Sequence, residues 1–132
     1  MFRGVHDSEI VAYSIDSRVQ ELVLVLAPGT GSATGEFQLI FRGVSAHQFI
    51  YPLLPSIVLE LMEVPVAELL TRESANLAEG SRLSGWPGPW FTSLEPAIKH
   101  CESAGLKGYE ILESYGMSGL VIAHSVECVG GP

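Results

Sequence analysis

The side chains with the greatest capacity for proton chemistry near neutral pH are four histidines, His6, His47, His100 and His124. The first opens His6-Asp7-Ser8, which sets the three residue types of a hydrolytic triad side by side. Side by side they cannot form one. In an extended segment neighbours point to opposite faces, so a nucleophile and its base do not meet. Asp7 and Ser8 are instead expected to hydrogen-bond local backbone at the entrance to a first strand. No histidines stand at i,i+4, and neither H-E-x-x-H nor C-x-x-C occurs, so neither a metal site nor a cofactor is expected. One long-range constellation is left. If the last strand lies beside the first, His6, Asp7 and His124 converge on one edge, and the chain could be a small enzyme using those three.

A second group of residues has the chemistry of binding rather than catalysis. Ser84-Gly85-Trp86-Pro87-Gly88-Pro89-Trp90 holds both tryptophans within five positions, between prolines and glycines. Prolines restrict the backbone, so the indoles are presented at low entropic cost. Trp86 and Trp90 either cap the core beneath a rigid link or anchor a partner. Tyr115, beside Gly116 in a glycine-containing turn that runs to Gly119, is the third such aromatic.

The chain has 132 residues, enough for one domain with its own core and no need of a disulfide or metal staple. Apolar residues make up 47% and charged residues 17%, so apolar surface is in surplus and an unusually thick core or self-association is expected to absorb it. Fifteen acidic against seven basic residues give a net charge of −8. The basic residues are scattered singly, which argues against DNA and disfavours RNA, since that affinity depends on local neutralisation of phosphates. A protein partner of basic character fits better. Cys101 and Cys128 are too few for a disulfide framework and read as small core residues. With no signal-like leader and no apolar run near the roughly 18 residues of a membrane span, a cytoplasmic protein is expected and no membrane partner.

The elements that must position these residues are legible as strands first. Glu9 to Asp16 forms a strand with Val11, Tyr13 and Ile15 on one face, and Leu22 to Leu26 is a strand apolar on both faces. Pro28 to Gly35 is a glycine-rich hairpin connection rather than a phosphate cradle, because it leads into a strand and not a helix. Glu36 to Val44 alternates cleanly, Ala46 to Pro55 is irregular, and Ser56 to Val64 is again a strand. A helix starts at Pro65 and stops at Gly80; a second, opened by a Thr92/Glu95 capping box, runs to about Ser103 and closes at Gly105. Tyr109 to Ser114 and Leu120 to Cys128 close the chain as a hairpin. The order β-β-β-β-α-α-β-β predicts a single α+β domain over residues 1–132. Its sheet is expected to be mainly antiparallel and strongly twisted, or a small partly open barrel of Sm-like kind.

The His6-Asp7-Ser8-Glu9-Ile10 opening resembles that of a group of small bacterial β-rich proteins that includes the immunity protein 50 family. The Ser84–Trp90 stretch, and Ser114-Tyr115-Gly116-Met117-Ser118-Gly119 followed by Leu120-Val121-Ile122-Ala123, are similar to bacterial proteins of unknown function. The first resemblance implies a non-catalytic module that binds a protein such as a toxin, or associates with itself. The second implies no activity and no site residues. An Sm-like barrel that oligomerises or binds RNA is the alternative for this strand order.

Overall fold

A computed structural model describes residues 7–28, 35–53 and 55–130. Most of the Pro28–Gly35 connection therefore lies outside the described residues, as does His6. Among the described residues eight strands and three helices follow in the order β1 (Glu9–Asp16), β2 (Glu21–Ala27), β3 (Phe37–Arg42), β4 (Ala46–Ile50), β5 (Ser56–Val64), α1 (Val66–Arg72), α2 (Ser74–Ser84), α3 (Leu94–Ser103), β6 (Lys107–Tyr115), β7 (Ser118–Ala123) and β8 (Ser125–Val129). All pairings are antiparallel, in one sheet of order β4-β7-β6-β5-β1-β2-β3-β8. The result is a β-rich α+β fold. No described helix is long and apolar enough to cross a membrane.

The edge strands β4 and β8 do not pair with each other, yet each continues a strand of the interior. Three residues separate β3 from β4, and His124 alone separates β7 from β8. The β3–β8 register (Arg42↔Ser125) and the β4–β7 register (Ala46↔Ile122) follow one another along the chain. Backbone bonds carry the ladder through the corner: His124 N–H donates to the Arg42 carbonyl at 3.0 Å and Ser45 N–H to the Ile122 carbonyl at 2.8 Å. Gly43 makes the corner possible. Its φ of +64° favours glycine, and the His124 ring occupies the place a Cβ would need.

Alternation then divides the apolar residues between two cores. Leu22, Leu24 and Leu26 meet Phe37, Leu39 and Phe41 on one face, joined by Val121 and Ala123 of β7. Phe41 and Tyr109 pack there edge to face, with ring centroids 5.5 Å apart. On the other face Leu120 and Ile122 of β7 and Ala46 of β4 pack against Leu69, Leu70, Leu77, Ala97 and Cys101 of the helices. Each fully buried aliphatic side chain contributes about 1.5–3 kcal/mol of transfer free energy.

Several local expectations change. The irregular Ala46–Pro55 segment contains a regular strand, β4, because its two prolines lie beyond its end. A bulge between Ile10 and Ala12 puts Ile10, rather than Val11, on the face of Tyr13 and Ile15. The helix expected to stop at Gly80 breaks instead at Glu73 and restarts as α2, which runs through Gly80 to a left-handed Gly85. Thr92 is not the N-cap of α3. Ser93 stands there in an extended conformation, and no side chain bonds the cap. The final hairpin is a three-strand run, with Tyr115 ending β6 and His124 between strands. Cys128 is exposed on the edge strand β8 and Cys101 is buried, so only one of the two is a core residue.

Gly80 lies under Trp86: a Cβ there would stand 2.5 Å from the indole Cε3 and 2.9 Å from the Trp86 carbonyl oxygen. Gly80→Ala is therefore expected to destabilise, by about 1–3 kcal/mol, against the usual helical gain of alanine. Urea unfolding checks this as a lowered midpoint with an unchanged slope; a raised midpoint would contradict the packing.

Candidate functional site

The tryptophan stretch is committed to the fold. Gly85 ends α2 and the Trp86–Pro87 peptide is cis. The Trp86 indole N–H donates to the backbone carbonyl of His47 at 2.9 Å, which ties the helical layer to the middle of edge strand β4. Trp90 stacks on His100 of α3, with centroids 5.6 Å apart and planes 8° from parallel, and meets Phe91 edge to face. Both indoles are partly buried against the helix-side core. Tyr115 differs from them, being 59% exposed at the end of β6.

The expected polar cluster is not assembled by the described residues. Asp7 sits beside β5, its N–H donating to the Val58 carbonyl, and Val58 faces Glu113 of β6. His124 follows Ala123, which faces Lys107 at the other end of the same strand. Six residues of extended chain separate those two positions on β6, on the order of 20 Å. Among the described residues no group of three His, Cys, Asp or Glu side chains could hold a metal ion. No family model, curated protein or solved structure matches the chain.

Exposed apolar residues gather where β1 and β4 end. Beyond Ile10 the first strand loses β5 as a neighbour, since only Glu9 and Ile10 pair with it. Tyr13 and Ile15, on the same face as buried Ile10, are consequently 39% and 48% exposed. Tyr13 packs edge to face on Phe49 of β4 at 5.2 Å, and Phe49 in turn on His47 at 5.5 Å. Ile50, Tyr51 and Leu53 extend this apolar surface past the end of β4. Tyr51 is the most exposed of them, at 81%, and its φ is +55°. A bulky residue in the left-handed region costs roughly 1–2 kcal/mol, and here no buried contact of the ring offsets it. The loop is held from beneath: buried Ser56 donates its hydroxyl to the Leu53 carbonyl and accepts the Met117 N–H at 2.9 Å.

Neither Tyr13 nor Tyr51 is marked as a binding residue by the sequence. Tyr13 reads as one of a strand's alternating apolar residues, and its exposure follows from where strand pairing stops. Tyr51, between Ile50 and Pro52, carried one usable signal: an aromatic next to a proline just past an apolar run.

Two measurements test the placement of the titratable groups. Burial, with a smaller contribution from Glu102, pushes the Cys101 thiol up to about 11, so it is protonated at neutral pH. A thiol-specific reagent is expected to label one cysteine, Cys128, in the native protein and two after denaturation; rapid labelling of both in the native state would refute it. Burial also holds the His47 pKa below the ordinary histidine value of about 6.5. The folded state then binds fewer protons than the unfolded one, so this contribution is complete above about pH 6.5 and is lost as pH falls below it. Unfolding free energies measured from pH 7.5 to 5.5 are expected to fall less steeply in His47→Gln than in the wild type.

Proposed function

We propose that the chain is a non-catalytic protein-interaction module of the bacterial cytoplasm, of the immunity type, able to associate with itself. Its sheet is read as a small, partly open barrel: the bent pairs β3–β4 and β7–β8 carry the ladder around one side, and the short β1–β5 contact leaves the other side open. The observation that carries the reading is the apolar end surface of Tyr13, Ile15, Ile50, Tyr51 and Leu53. Apolar exposure around the Tyr13–Phe49 contact, on a domain with a net charge of −8, is better accounted for by a covering partner than by solvation. Tyr51 adds a second reason. A strained, exposed aromatic beside a rigid strand is a poor stabiliser of the monomer and a good preorganised anchor.

Tyr51→Asn separates these roles, since asparagine tolerates the left-handed conformation. The variant is expected to keep the wild-type unfolding free energy or gain up to about 1 kcal/mol. It is also expected to lose the complex, whether a captured partner or the dimer seen by light scattering. A wild-type protein that is monomeric at high concentration and captures no protein would overturn the reading, as would a variant that binds as well as the wild type.

A further inference from the structure

Strand β1 has a second neighbour for only part of its length. Glu9 and Ile10 pair with β5, and a bulge between Ile10 and Ala12 falls where that pairing ends. From Ala12 to Asp16 the strand keeps β2 on one side, and among the described residues no strand pairs with it on the other. Ala12, Tyr13, Ser14 and Ile15 are all exposed, whereas an interior strand of a packed sheet has at least one face covered. The stretch contains neither Lys nor Pro, the residues that commonly blunt an open edge. Its one charge, Asp16, is held by Arg18, whose guanidinium donates to both carboxylate oxygens at 2.8 and 3.0 Å. The edge is thereby close to neutral on a chain of net charge −8.

We infer that this edge pairs with its own counterpart in a second copy of the chain, antiparallel, across a two-fold axis at Ser14. That register overlaps the whole open stretch from Ala12 to Asp16. It sets Tyr13 opposite Ile15 of the second copy, and Ile15 opposite its Tyr13, on the face that Ile10 shares. Aromatic and β-branched residues directly opposite one another stabilise antiparallel pairs. On the other face Ser14 meets Ser14 and Ala12 meets Asp16, so no like charges are opposed. An antiparallel ladder about a two-fold axis offers the same patch from both copies, as an isologous interface requires. Tyr13 and Ile15 also belong to the apolar end surface, so the ladder continues that surface. The inference rests on the self-associating part of the interaction-module reading and gives it a partner and a register.

Ser14→Cys in a Cys128→Ser background tests the register, because residues facing each other on the axis lie about 4.5–5.5 Å apart, within disulfide reach. Diamide, which takes up the two thiol hydrogens, is expected to convert most of this variant into a disulfide-linked dimer. Val19→Cys in the same background, also exposed but out in the β1–β2 turn, is expected to stay unlinked. Sedimentation equilibrium of the wild type is expected to show a dimer. Ile15→Lys should raise its dissociation constant about tenfold, the loss of two cross-strand pairs. Absent linkage at Ser14→Cys, equal linkage of the two cysteine variants, or a dimer indifferent to Ile15→Lys would overturn the β1 pairing and leave self-association through Tyr51 standing. A monomeric wild type would overturn the pairing as well, and the module reading would fall with it only if no other protein is captured.

Discussion

The corner at Gly43 and His124 is the constraint on which the rest of this molecule depends. There the paired strands change direction without breaking their ladder, because His124 N–H reaches the Arg42 carbonyl while Ser45 N–H reaches that of Ile122. On one side of the corner, Leu39 and Phe41 face the strand-lined core; on the other, Ala46 faces the helices. Any side chain at Gly43 would collide with the imidazole, so the turn and the absence of a side chain are one requirement.

The corner also explains where the molecule is unfinished. Turning β4 away from β3 brings Phe49 against Tyr13, so the end of β1 is met by an aromatic contact instead of a strand. Apolar side chains on the core face of β1 are thereby left in solvent, and the loop after β4 carries Ile50, Tyr51 and Leu53 beside them.

Period-two alternation made β1, β3 and β5 readable in the sequence and a continuous apolar run made β2 so, and the α+β class came with them. Pro65 marked the start of the helical region to within one residue, standing as the N-cap of α1 and not as its first residue. What could not be read depended on contacts between distant residues. Gly80 carries the usual signature of a helix end, but its small size serves Trp86, six residues on, and α2 runs through it. Proline counting hid β4, whose regular stretch ends just before Tyr51. The tryptophans were legible as a rigid link, whereas the bond from the Trp86 indole to the His47 carbonyl spans 39 residues and leaves no local trace. Grouping His6, Asp7 and His124 required the first and last strands to be neighbours, and the register instead separates Asp7 and His124 by most of the length of β6.

Strand β7 is the party wall between the two cores. Val121 and Ala123 belong to one, Leu120 and Ile122 to the other, and all four are buried. Loosening the helical layer therefore uncovers the back of a strand whose front seals the strand-lined core, and loosening that core withdraws support from the helices. The two hydrophobic clusters share six residues of backbone, a coupling that favours unfolding of the domain as one cooperative unit.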